Sequence, residues 1–350
     1  MTETTETALP FIIVSGPTAS GKSRLALELA QALSHEIVNI DSVQIYKGLD
    51  IGSAKASTQE RENVRHHLLD MVEPCQQSTV SDYLAWVVAL LPELESRHTR
   101  PIFVGGSSLY ITCLLQGLAA LPKGDKTLRA QLEQLDGAAL MQRLEECDPK
   151  SAQKLHVNDR MRIIRALESA TLHQQAASKT LADHGFAQPQ HQALIIVPIW
   201  ERAKLYARIN LRSQAMLKLG LVEEARAIAS KYGKEAPALK SLGYAQACAF
   251  LSGELSEEAL LSELSQRTRN FAKRQMTFWR NEPHKRGWTV QPITENIVQE
   301  NKAPKKFEVL ELGFSELINK VRQFTAQRQS FTEVWYIDAE RVLGELEQNS

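Results

Sequence analysis

The octapeptide Gly16-Pro17-Thr18-Ala19-Ser20-Gly21-Lys22-Ser23 constrains this chain more than any other stretch. It follows the phosphate-loop pattern of glycine, four residues, glycine, lysine and serine. The preceding run, Phe11 to Ser15, is short and apolar and predicts a buried strand. Downstream, Leu25, Ala26, Leu29, Ala32 and Leu33 recur at the spacing of one helical face. Strand, glycine loop and helix in this order offer backbone N–H groups and a positive helix end to a phosphate. Lys22 adds a point charge and the Ser23 hydroxyl a Mg2+ ligand. The motif names no reaction, because kinases, GTPases and group transferases all use it.

With 350 residues and 43% hydrophobic composition, the chain can build two domains, or one domain with an insertion. Forty-one basic and 41 acidic residues cancel, so only a local cluster can point to a nucleic acid. Cys75, Cys113, Cys147 and Cys248 form no C-x-x-C pair, which argues for reduced thiols and against a zinc finger. The first ten residues lack a basic leader, and no apolar run approaches the roughly 20 residues of a membrane span. A cytoplasmic protein is expected. The runs "EIVNI" and "PIFVGG" alternate with helical patterns, which predicts an α/β fold: a P-loop NTPase-like parallel sheet core over residues 1–121. Residues 122–190 read as a helical insertion domain, and "ALIIVPI" returns the chain to the sheet within a mainly helical 191–290. Residues 291–350 read as a linker, "TENIVQENKAPKK", and a C-terminal helical tail with Leu317, Ile318, Val321 and Phe324 on one face.

Three further features carry chemistry. Asp41 ends the second predicted strand, at the carboxyl edge where open α/β sheets bind ligands. A carboxylate there serves as a Mg2+ ligand, a general base or a turn residue. A dinucleotide fold is excluded, since Thr18 interrupts any G-x-G-x-x-G. The third strand ends in Gly105, Gly106, Ser107 and Ser108, where many phosphate-loop ATPases and GTPases place a metal-binding aspartate. Two glycines leave room for a substrate, and Ser107 offers a hydroxyl instead of a charge. Residues 267–286 hold Arg267, Arg269, Lys273, Arg274, Arg280, Lys285 and Arg286 against the one acid Glu282, interleaved with Phe271, Phe278 and Trp279. That mixture suits phosphate contacts and base stacking on RNA, and equally a solvated basic face with its aromatics packed inward. Smaller clusters are Arg160, Arg162 and Arg165, and the i, i+4 pair Arg208 and Arg212; each alone reads as surface charge.

In order, "GPTASGKS", "DSVQIYKGLDIGSAK", "HHLLD", "VGGSSLY", "NDRMRIIRALE", "SLGY" and "KRQMTFWR" resemble the tRNA dimethylallyltransferase (tRNA isopentenyltransferase) family from about residue 11 to 285. The resemblance implies transfer of a dimethylallyl group from dimethylallyl diphosphate to N6 of the adenosine 3′ to the anticodon, in tRNAs reading codons that begin with U. It also implies Mg2+. By position, Gly16 to Ser23 would hold the diphosphate, Asp41 would be the general base, and Ser107 would stand where relatives usually have threonine. Positions implied to contact tRNA are Asp41, Ser42, Val43, Gln44, Ser107, Arg129, Met161, Arg162, Ile163, Ile164, Arg165, Lys240, Ser241, Leu242, Gly243, Tyr244, Lys273, Arg274, Gln275, Met276, Thr277, Phe278, Trp279 and Arg280. Ala245 departs from the arginine often found in bacterial relatives. The alternatives are an adenylate isopentenyltransferase, which needs neither the helical insertion nor the basic helix, and a small-molecule kinase. Nothing in the sequence requires more than a monomer.

Overall fold

The computed structural model describes residues 10–119, 124–173, 176–184, 190–291, 309–326 and 331–348. Among them, seven strands form one sheet: β1 (Phe11–Val14), β2 (Glu36–Asn39), β3 (His66–His67), β4 (Pro101–Val104), β5 (Ala193–Ile199), β6 (Thr289–Gln291) and β7 (Glu333–Asp338). The order is β3-β2-β4-β1-β5-β7-β6 and every pairing is parallel. Parallel strands must be covered on both faces, which is why the strands read as unbroken apolar runs. In β1, Ile12 and Val14 meet the helices Lys22–Leu33, Phe314–Ala326 and Ala339–Gln348 on one face. Phe11 and Ile13 meet Tyr83, Val87, Ile111, Leu114 and Trp279 on the other. β1 lies between β4 and β5, with β2 beyond β4, so the loops leaving β1, β2 and β4 converge at one carboxyl edge.

The chain divides into two compact units, Met1–Leu115 with His191–Ser350, and Gln116–Gln190. The second is wholly helical among its described residues, around Leu132, Leu140, Leu144, Ile163, Ile164 and Leu167. Asp125, Asp136 and Asp148 each accept a backbone N–H from the first turn of the helix they precede. A third cluster, in the first unit, packs the segment Ile45 to Leu49 against Leu221, Tyr244, Leu260 and Leu264.

The C-terminal region differs from the expected helical tail. Its helix Phe314–Ala326 does bury Leu317, Val321 and Phe324, but Glu333–Asp338 is a strand that pairs with β5 and β6. Val334, Trp335, Tyr336 and Ile337 are all buried, as an interior parallel strand requires. The expected linker, residues 294–306, lies outside the described residues. The last helix, Ala339–Gln348, reaches the phosphate loop. Gly21 adopts a φ of 85°, and a Cβ added there would lie 2.3 Å from Leu343 Cδ1. Arg24 also donates to the Leu346 carbonyl at 2.9 Å. Leu343→Ala is expected to cost about 2–5 kcal/mol in denaturant unfolding, the range for truncating a buried leucine. An unchanged midpoint would show that the C-terminal helix does not support the loop.

Candidate active site

The phosphate loop is held from three sides. Gln275, buried on the long helix Glu257–Lys285, accepts the Thr18 backbone N–H at 2.8 Å and donates to the Gly106 carbonyl at 3.0 Å. A Cβ at Gly106 would stand 2.1 Å from Gln275 Nε2, so a larger residue there has to displace the amide. From the helix Arg202–Lys218, Arg208 donates to the Ala19 carbonyl at 3.0 Å while stacking on the Trp200 ring at 4.4 Å. Trp200 donates in turn to the Ser20 carbonyl at 3.0 Å. The helix that follows the loop has neither a side-chain cap nor an acidic residue in its first turn. Its leading N–H groups therefore remain available to an anion.

Around this loop lies a cavity of about 840 Å³, lined by Thr18, Ala19, Gly21, Lys22 and Ser23, by Asp41 to Gln44, and by Gly105 and Ser107. Arg208, Arg212, Ser241 to Gly243, Phe271, Arg274 and Gln275 also contribute to the wall. Burial lowers the Lys22 ammonium to about 8; Arg212 adds repulsion, and Asp41 opposes both. Arg212, whose NH1 lies 3.4 Å from Thr18 Oγ1, is also lowered by burial, with Asp41 countering and Arg208 adding to the shift. Two crowded cations at a loop of free N–H groups form a site that gains most when an anion enters.

Asp41 is placed by short-range bonds. Asn39 Oδ1 accepts the Asp41 N–H at 3.0 Å, while Asn39 Nδ2 donates to the carbonyls of Asp41 and Leu68 at 3.0 and 3.1 Å. Asp41 Oδ1 accepts the Val43 N–H at 2.8 Å and that of Gln44 at 3.4 Å. Ser107 Oγ accepts the Ser42 N–H at 3.0 Å, so this hydroxyl braces the Asp41 turn from the end of β4. Gln44 is tied down by donating to the carbonyls of Ser53 and Ala54. Tyr244 is buried, donates to Glu224 and packs under Gly52, which sets the neighbouring Ser241–Gly243 against the cavity.

Several expected contact residues have other work. Gly16, Pro17 and Ser20 shape the loop without lining the cavity, and Ser20 is buried. Ile163 and Ile164 are core residues of the helical unit, so within Met161–Arg165 only Met161, Arg162 and Arg165 present exposed or partly exposed side chains. Tyr244 and Trp279 are core residues, and Gln275 belongs to the loop. Phe278 packs beside Trp279 in an edge-on pair, whereas Lys273, Arg274 and Thr277 are exposed. Met276 and Arg280 are partly covered. Arg129 pairs with Glu168, and the exposed Lys240 lies 3.8 Å from Glu235. Arg208 and Arg212, read from sequence as surface charges, instead reach the phosphate loop; the signal was their i, i+4 spacing on a helix that follows β5.

A phosphate loop on the central strand of a parallel sheet, faced by a strand-end carboxylate, places the chain in the P-loop α/β class. The family model IPP transferase matches residues 44–282. The tRNA dimethylallyltransferase 1 of Citrifermentans bemidjiense is 43% identical over 278 residues, 79% of this chain and 91% of the relative. That of Geobacter metallireducens is 44% identical over 277 residues, 78% of this chain and 90% of the relative. The solved full-length tRNA isopentenylpyrophosphate transferase of Bacillus halodurans is 27% identical with a TM-score of 0.59, covering 92% of this chain and 97% of that one. A eukaryotic dimethylallyltransferase acting on tRNA gives 0.68 at 26% identity, covering 78% of this chain and 70% of that one. The chain belongs to the IPP transferase family.

The Gln275 clamp makes a direct prediction. Gly106→Ala displaces the amide and releases the Thr18 N–H, so affinity for inorganic diphosphate should fall about three- to tenfold in calorimetry, the worth of one such bond. Equal affinity would mean that the loop holds its shape without Gln275.

Proposed function

We propose that this protein transfers the dimethylallyl group of dimethylallyl diphosphate to N6 of the adenosine 3′-adjacent to the anticodon in tRNAs reading UNN codons, releasing diphosphate. The convergence of Lys22, Arg212, the loop N–H groups and Asp41 on one cavity carries this reading. The adenine amine is a weak nucleophile because its lone pair is delocalised into the ring. The protein must therefore assist chiefly by stabilising the leaving group. As the allylic C–O bond breaks, negative charge grows on the diphosphate, where Lys22, Arg212 and the loop N–H groups are already in place. As the C–N bond forms, N6 loses a proton to Asp41, whose Oδ1 is fixed by the Val43 and Gln44 N–H groups.

The donors present fit Mg2+. Ser23 is exposed at the cavity wall, and no group of three His, Cys, Asp or Glu residues among the described residues forms a metal cage. A magnesium ion suits such a site, since it keeps waters and shares substrate oxygens. Held by the Ser23 hydroxyl, it would supply further neutralisation of the diphosphate.

Arg274 and Phe271 line the cavity, and their guanidinium and ring lie 5.7 Å apart. They offer charge and a stacking face to an unstacked nucleotide. An adenosine in a single-stranded loop leaves its stack at low cost, which favours an anticodon loop as the acceptor. No helix among the described residues is long and apolar enough to cross a membrane.

Incubation with labelled dimethylallyl diphosphate, Mg2+ and either total tRNA or AMP should place label in the tRNA. Label in AMP alone would overturn the reading in favour of a free-nucleotide transferase. Asp41→Asn, which keeps an oxygen for the two N–H groups, should lower turnover by about 10²- to 10⁴-fold with tRNA affinity retained. Undiminished turnover would remove Asp41 from the proton transfer. The depressed Lys22 sets a pH dependence. Above pH of about 8 the free site loses this charge. The ratio of wild-type to Lys22→Arg affinity for inorganic diphosphate should therefore decline with rising pH, by up to about tenfold per unit. A flat ratio from pH 7 to 9.5 would contradict the assignment.

A further inference from the structure

The helical unit holds a carboxylate that the reaction does not use. Glu168, on the helix Arg160–His173, has a side-chain exposure of 0%. Arg129 donates to it from Nε at 3.0 Å and from NH2 at 2.7 Å, and Arg165 NH1 lies 3.6 Å away. Both arginines remain partly exposed, at 40% and 35%. The pair is closely built in: a Cβ at Gly124 would lie 3.2 Å from both Arg129 NH2 and Glu168 Oε1.

Burying a carboxylate is costly, and an apolar residue of similar volume commonly serves stability as well. What Glu168 provides is geometry. By taking Nε and one amino group of Arg129 it fixes the plane of that guanidinium, and NH1 is not used by Glu168. By drawing Arg165 to the same carboxylate it brings two like charges together at the edge of the unit. The cluster keeps one net positive charge, from two arginines and one glutamate. Guanidinium groups held in a fixed plane suit the two-oxygen face of a phosphate.

We infer that Glu168 is a positioning residue for RNA, holding Arg129 and Arg165 ready for the sugar-phosphate backbone of the anticodon stem-loop. The inference rests on the tRNA reading above. Expected of an orienting role is a loss of RNA affinity that depends on the arginines being present. A purely structural role gives a loss independent of them.

The test measures fluorescence anisotropy of a labelled anticodon stem-loop with the full chain over a KCl series, for wild type, Glu168→Gln, Arg129→Ala and the double variant. Glu168→Gln keeps the volume and should fold with native circular dichroism, bind RNA about tenfold more weakly, and raise KM for RNA at unchanged kcat. In the Arg129→Ala background the same change should cost much less. Equal binding by wild type and Glu168→Gln, or losses that simply add, overturns the inference. If Glu168→Gln does not fold, Arg129→Lys serves instead: it keeps the charge, loses the fork and should also bind about tenfold more weakly, and unaltered binding overturns the inference. A wild-type chain that binds no RNA removes the tRNA reading itself, whereas tight wild-type binding with unaffected variants removes only the role of Glu168.

Discussion

One buried amide, Gln275, ties together the three parts that make the site. It joins the loop after β1 to the end of β4 and to the long helix, through the Thr18 N–H and the Gly106 carbonyl. The bond to Gly106 is withdrawn from water and the bond to Thr18 partly so, so losing the first leaves a buried polar group unpaired. The loop is thereby fixed before any ligand arrives, with Arg208 and Trp200 bracing its outer carbonyls and Leu343 lying against Gly21. A loop shaped in advance spends none of its interaction energy on reorganisation as charge develops.

The chemistry follows from strand order. With β2, β4 and β1 adjacent, Asp41, Ser107 and the phosphate loop emerge at one edge. The helix after β5 then adds Arg208 and Arg212 to the same wall. Burial lowers the proton affinity of both Lys22 and Arg212, with Arg212 adding to the effect on Lys22 and Arg208 to that on Arg212. A site that concentrates positive charge in this way, with a carboxylate opposite, suits departure of an anionic group and acceptance of one proton. At the end of β4, where many phosphate-loop ATPases and GTPases place a metal-binding aspartate, Gly105 and Gly106 stand instead.

Much of this was legible in the sequence. The phosphate loop, the β2 carboxylate and the alternation of apolar runs with helices depend on local pattern, which a single sequence displays. The helical unit was legible from the loss of strand signals after about residue 120. Strand β7 was missed because "EVWYID" lies far in sequence from its partner β5, and its six residues fix nothing until the sheet exists. Gln275 sits in a basic, aromatic helix whose composition suggested RNA, while its burial depends on the packing of that helix against the loop. Arg208 and Arg212 carried charge that composition could not direct. Ile163 and Ile164, inside a motif with basic neighbours, turned out to be core because a helix with exposed arginines must bury its other face.

In the proposed reaction the phosphate loop grips a leaving group and not a phosphoryl group in transit. Dimethylallyl diphosphate carrying ¹⁸O at the bridge between C1 and phosphorus tests it, with the phosphorus products of turnover on tRNA read by ³¹P NMR. Cleavage of the allylic C–O bond should give one inorganic diphosphate per prenylated tRNA, with the ¹⁸O retained in that diphosphate. Orthophosphate, phosphorylated RNA or a diphosphate lacking the label would contradict it.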